Sequence, residues 1–172
     1  NSAVERILQL HKQLQTHAKQ SSVTFKKIVK ETINLETAWC SGLGALRAED
    51  KLHIKAKDTR CLSGSVDIDT ALLEKEPNAN RWDYVISYKQ PKNKEFLYWV
   101  ETHTGSDKEI KVVLKKLEWL KNWLNNDGSK LAKFERKFIW VESGKTSFTN
   151  GSTQVKILAE KGLQYLSMLH IS

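Results

Sequence analysis

Two carboxylates and a histidine occupy positions that strand periodicity can bring together. Asp83 lies in residues 82–88, and Glu101 and His103 lie in residues 96–103; both runs are rich in aromatic and β-branched side chains and read as strands. If Pro91–Asn93 is a three-residue turn, Gln90 pairs with Lys94. Counting back then sets Val85 opposite Trp99, Asp83 opposite Glu101 and Arg81 opposite His103. Alternation places Asp83, Glu101 and His103 on one face of the hairpin. Like charges directly opposite destabilise a strand pair, and a divalent cation removes the conflict. Mg²⁺ and Mn²⁺ are hard ions that favour carboxylate oxygen. Either can activate a water and offset charge building on a phosphate, with His103 as the nearby base. The competing reading is structural. Asp83 pairs with Arg81 or a lysine, Glu101 meets solvent at the sheet end, His103 caps the next turn, and a one-residue slip of register separates all three.

The elements that must position these groups follow from periodicity. Val4, Ile7, Leu8, His11, Leu14 and Ala18 predict an amphipathic helix over 2–19. Phe25, Ile28, Val29 and Ile33 predict a second, with Thr24 as its N-cap. Residues 39–47 read as a loop, 52–57 as a short strand and 62–72 as a longer one. Ser106 and Glu109 form a capping box before a helix whose buried stripe is Ile110, Val113, Leu114, Leu117, Leu120 and Leu124. Lys108, Lys111, Lys115 and Glu118 fall on its opposite side. Residues 137–142 predict another strand and 144–151 a loop. Ser152 caps a last helix that turns Val155, Leu158, Ala159, Leu163 and Leu166 inward. Helices, strands, a helix, a strand and a helix, in that order, predict one α/β domain over 1–172. A mixed sheet of four to five strands is flanked by helices, and a helical part over 1–40 packs on the sheet core of 50–170.

This order, with an acidic residue on one strand and an acidic-x-basic triplet on the next, resembles the PD-(D/E)XK nuclease superfamily. The stretches RWDYVISY, LYWVETHTGS, IKVVLKKLEWL and KFIWVES carry the likeness, over roughly residues 60–145. The resemblance implies a restriction-endonuclease-like core and metal-dependent hydrolysis of phosphodiester bonds. Asp83 would be the first ligand of Mg²⁺ or Mn²⁺ and Glu101 the second. Trp82 stands in the motif's proline position and His103 in that of its lysine. In relatives that move the lysine to a neighbouring element, the matching residues here would be Lys111 or Lys115, whose placement also suits ordinary solvated lysines. The implied partner is nucleic acid, DNA before RNA.

Further groups have two readings each. Asp67 and Asp69, two apart in the 62–72 strand, are extra metal ligands or the polar face of an edge strand. Glu31 and Glu36 are a carboxylate from the leading helix or surface residues. Lys26, Lys27 and Lys30 on one helix face, with Arg60 and Arg81, hold phosphates or are simply solvated. The six tryptophans stack bases or, the stronger expectation, pack the core. The net charge of +8 favours a polyanionic partner. No 20-residue apolar span, signal-peptide core, Walker loop, dinucleotide fingerprint or nucleophile elbow is found. Cys40 and Cys61, without a CxxC pair, suit a reducing, cytoplasmic setting.

Overall fold

The computed structural model describes residues 2–21, 23–144, 148–149 and 151–172, with the side chains of 16–21 left out. In chain order the elements are α1 (Ala3–Ser21), α2 (Phe25–Glu31), α3 (Ala48–Lys51), β1 (Ile54–Ala56), β2 (Leu62–Asp67), α4 (Ile68–Leu72), β3 (Tyr84–Gln90), β4 (Lys94–His103), α5 (Asp107–Leu124), β5 (Glu135–Glu142), α6 (Thr153–Glu160), β6 (Leu163–Leu166) and β7 (Leu169–Ile171). Strands β2 to β6 form a mixed five-stranded sheet in sequence order. The pairs β2–β3 and β3–β4 are antiparallel, and β4–β5 and β5–β6 are parallel. The chain is therefore a mixed α/β fold with helices on the sheet.

The hairpin register is the one counted from the turn: Gln90 pairs with Lys94 and Val85 with Trp99. Lys92 and Asn93 adopt positive φ, which lets so short a connection reverse the chain. Alternation along β3 and β4 divides the core. Val85, Leu97 and Trp99 meet α2, α5 and α6 on one face, where Phe25, Val29, Val113, Leu117, Leu120 and Leu158 are buried. Tyr84, Ile86, Tyr98 and Val100 point the other way. There the parallel pair of β1 and β7 covers them with Ile54, Leu169 and Ile171.

Several expected elements differ. The strand predicted over 62–72 stops at Asp67, whose carboxylate caps α4: Oδ1 accepts from the Thr70 amide at 2.9 Å and Oδ2 from the Thr70 hydroxyl at 2.8 Å. Ile68 and Leu72 satisfied a strand alternation, yet their four-residue spacing serves a helix equally, and both are fully buried. The last helix ends at Glu160 instead of running on. Gly162, at φ +81, breaks it, so Leu163 and Leu166 belong to the fifth strand, β6. Thr24 caps α2 as expected, accepting from the Lys27 amide, but Ile33 lies beyond the helix and is exposed. In α1 the apolar stripe is not covered: Val4, Ile7, Leu8, Leu10 and Leu14 are 57–64% exposed. The side chain of Ala18 and residues 145–147 and 150 of the predicted loop fall outside what is described. Among the described residues no helix is long and apolar enough to cross a membrane.

A buried carboxylate–lysine cluster as candidate active site

Asp83 sits one residue ahead of β3, where the ladder continued from Tyr84–Val100 sets it against Glu101. Its amide donates to Glu101 Oε2 at 3.0 Å. Its own Oδ2 accepts from the Thr102 amide at 3.0 Å and the Thr102 hydroxyl at 3.1 Å. The Asp83 carbonyl in turn accepts from the Ile68 amide at 2.9 Å, so the start of α4 fixes this end of the strand. Both side chains turn to the face that carries Val85 and Trp99, under α5. Glu101 is fully buried and Asp83 is 8% exposed.

Two buried carboxylates need a counter-charge, and α5 supplies it. Lys116 Nζ donates to Glu101 Oε1 and stands 3.7 Å from Asp83 Oδ1. Lys116 follows Val113 by three residues and precedes Leu120 by four, so it belongs to the inward side of the helix. Burial raises the Glu101 carboxyl well above its usual range, and the neighbouring Asp83 charge adds to this. Burial also raises Asp83, with Lys116 opposing. For Lys116, burial works against the charge, but the two carboxylates hold its pKa above the ordinary lysine value.

His103 is at the rim. Its Nε2 meets Glu109 Oε2, and its Nδ1 lies 3.8 Å from Glu101 Oε1. Glu109 therefore holds the histidine instead of closing a capping box, and the Ser106 side chain makes no cap hydrogen bond. Lys111 and Lys115 are exposed on the outer side of α5, away from the carboxylates. Asp67 is used up in the α4 cap. Asp69 is in α4, not on a strand face with Asp67. It pairs with Arg81 at 3.0 Å, yet its charge still raises Asp83 and Lys116.

Arg81 pairs with Asp69. Its guanidinium is 11% exposed and also donates to the Glu76 carbonyl at 2.6 Å and the Pro77 carbonyl at 3.1 Å, which locks the loop ahead of Asp83. Lys26 covers the Trp39 ring at 4.2 Å, while Lys27 and Lys30 are exposed. Arg60 is paired to Asp58 at 3.0 Å. Glu31 lies 3.7 Å from Lys130, and Glu36 is exposed. Trp82, Trp99 and Trp140 are fully buried in the core.

The structure thus brings Asp83, Glu101 and His103 together and adds three residues that periodicity did not single out: Lys116, Thr102 and Glu109. The readable signal for Lys116 was a charge in helical register with Val113 and Leu120. Compared with family models, curated proteins and solved structures, the chain returns no match.

Proposed function

We propose that this domain is a metal-dependent nuclease with a PD-(D/E)XK-type core, acting on nucleic acid and on DNA before RNA. The observation that carries the reading is Lys116 Nζ between the Glu101 and Asp83 carboxylates, reached from the helix after the hairpin. The lysine expected at position 103 is then supplied by α5, one residue away from the Lys115 considered from sequence.

The donor set suits Mg²⁺ or Mn²⁺: hard carboxylate oxygens on adjacent strands, oriented by backbone and hydroxyl donors and carrying one negative charge beyond what Lys116 neutralises. When bound, such an ion supplies an acidified water and charge stabilisation at the phosphate. Asp83 and Glu101 would hold it. Lys116 orients the attacking water and offsets charge on the phosphoryl oxygens, and Thr102 keeps Asp83 in its rotamer. His103, held by Glu109, stands at the rim within reach of a proton.

A second reading, a binding module without catalysis, draws on the same ammonium, because a lysine alone already compensates the Glu101 charge. Thermal unfolding with and without Mn²⁺ in wild type and Asp83→Asn separates the two. The nuclease reading expects a rise in wild type that vanishes in the variant, together with Mn²⁺-dependent cleavage lost in Asp83→Asn. No rise and no cleavage would leave the binding module.

A further inference from the structure

We infer that the outer surface of α5 is a track for a single strand of nucleic acid, with an unpaired base held at Trp119, one turn along the helix from Lys116. The inference rests on the nuclease reading and names its substrate form. Trp119 lies one turn beyond Lys116, and its indole N–H donates to Glu76 Oε1 at 3.3 Å. The Glu76 carbonyl is the one that Arg81 grips, so Trp119 is tied to the loop that delivers Asp83. Around it opens a shallow groove of about 430 Å³, lined by Asn80, Lys115, Glu118, Trp119 and Asn122. An aromatic ring flanked by two carboxamides and a lysine has the chemistry of a base site: a π-face, amides that can meet base edges, and a cation for the adjoining phosphate. One face of Trp119 is backed by Trp123, with ring centroids 6.2 Å apart and planes 16° from parallel, which fixes the ring for stacking.

A second groove of about 520 Å³ shares Lys115 and Glu118 with the first and continues across α5. Its floor is Leu114 and Leu117, and Lys111, Lys121 and Lys161 rim it. Four lysines with one glutamate make a cationic path, and charge complementarity selects a phosphate backbone as occupant. The apolar floor and the tryptophan favour a strand whose bases are free to turn inward. A duplex offers its phosphates but keeps its bases stacked. Of the basic residues expected from sequence, Arg81 and Arg60 are engaged with carboxylates and Lys26 lies over the Trp39 ring.

The test is fluorescence anisotropy of labelled oligothymidylate and of a duplex of equal length, in EDTA. The variants are Lys111→Glu/Lys115→Glu/Lys161→Glu, Trp119→Leu and Asp83→Asn. The track predicts that the single strand binds wild type about tenfold more tightly than the duplex. It also predicts about tenfold or greater weakening in the lysine variant, with a shallower salt dependence. Trp119→Leu should weaken the single strand and leave the duplex unaltered; the lysine changes are all at the surface and keep the test valid should Trp119→Leu not fold. Equal or tighter duplex binding, or a lysine variant that binds as wild type does, overturns the inference. The nuclease reading fails separately: Asp83→Asn that cleaves as wild type in Mn²⁺ would remove the assigned chemistry and leave the track standing.

Discussion

Glu101 and Asp83 are kept in the interior at a cost, and that cost is measurable. Both carboxyls are raised by burial, so the folded state holds their protons more tightly than the unfolded chain does. The sign follows: their contribution to stability is fully present below the unfolded value of about 4. It is lost as pH rises through the raised native values. In EDTA, the melting temperature of wild type relative to Glu101→Gln should therefore decline from pH 4 upward. A difference that grows with pH would show that the carboxyl is not raised. Asp83→Asn keeps the Glu101–Lys116 pair and removes one of two like charges, so it should gain about 1 kcal/mol in metal-free urea unfolding while losing cleavage. Lys116→Met should reduce cleavage by about 100-fold or more, read in single-turnover assays. At this scale the sequence was partly legible. Asp83, Glu101 and His103 follow from strand alternation and a turn length, both local. Lys116 depends on which side of α5 meets the sheet, and its neighbours Lys111 and Lys115 are of the same residue type with the opposite orientation.

Each element around the cluster has a local device that sets its end, and these devices can be tested apart from the chemistry. Asp67 terminates β2 by capping α4, and α4 in turn holds the Asp83 carbonyl. Asp67→Ala should cost about 1 kcal/mol of stability by urea denaturation and leave any Mn²⁺-induced shift in place. A loss of that shift at unchanged stability would instead make Asp67 a ligand. Gly64 has φ +143, and a Cβ there would stand 2.1 Å from Trp39 Nε1. Gly64→Ala should destabilise by about 2–3 kcal/mol in the same assay. The hairpin and α5 could be read from sequence because their patterns are long and have one period. The turn from strand to helix at Asp67 could not, since Ile68 and Leu72 fit both periods. Strand β6 was hidden in the same way, behind apolar spacings that continue those of α6.

At the scale of the molecule, sheet order and layers follow from short connections, and the order of elements alone pointed to a mixed α/β fold. The two-stranded cover of β1 and β7 joins residues more than a hundred positions apart, and no local pattern in either segment announces its partner. Helix α1 has a wide apolar stripe, the usual mark of a buried helix, yet that stripe faces outward. An isolated helix of nineteen residues is only marginally stable in water, because packing normally supplies what backbone hydrogen bonding does not. The exposed apolar residues of α1 predict that this helix opens without disturbing the body from Phe25 onward. Amides of α1 should exchange with solvent far faster than those of β3 and β4. A protease acting in α1 should leave a fragment that melts where the intact chain does.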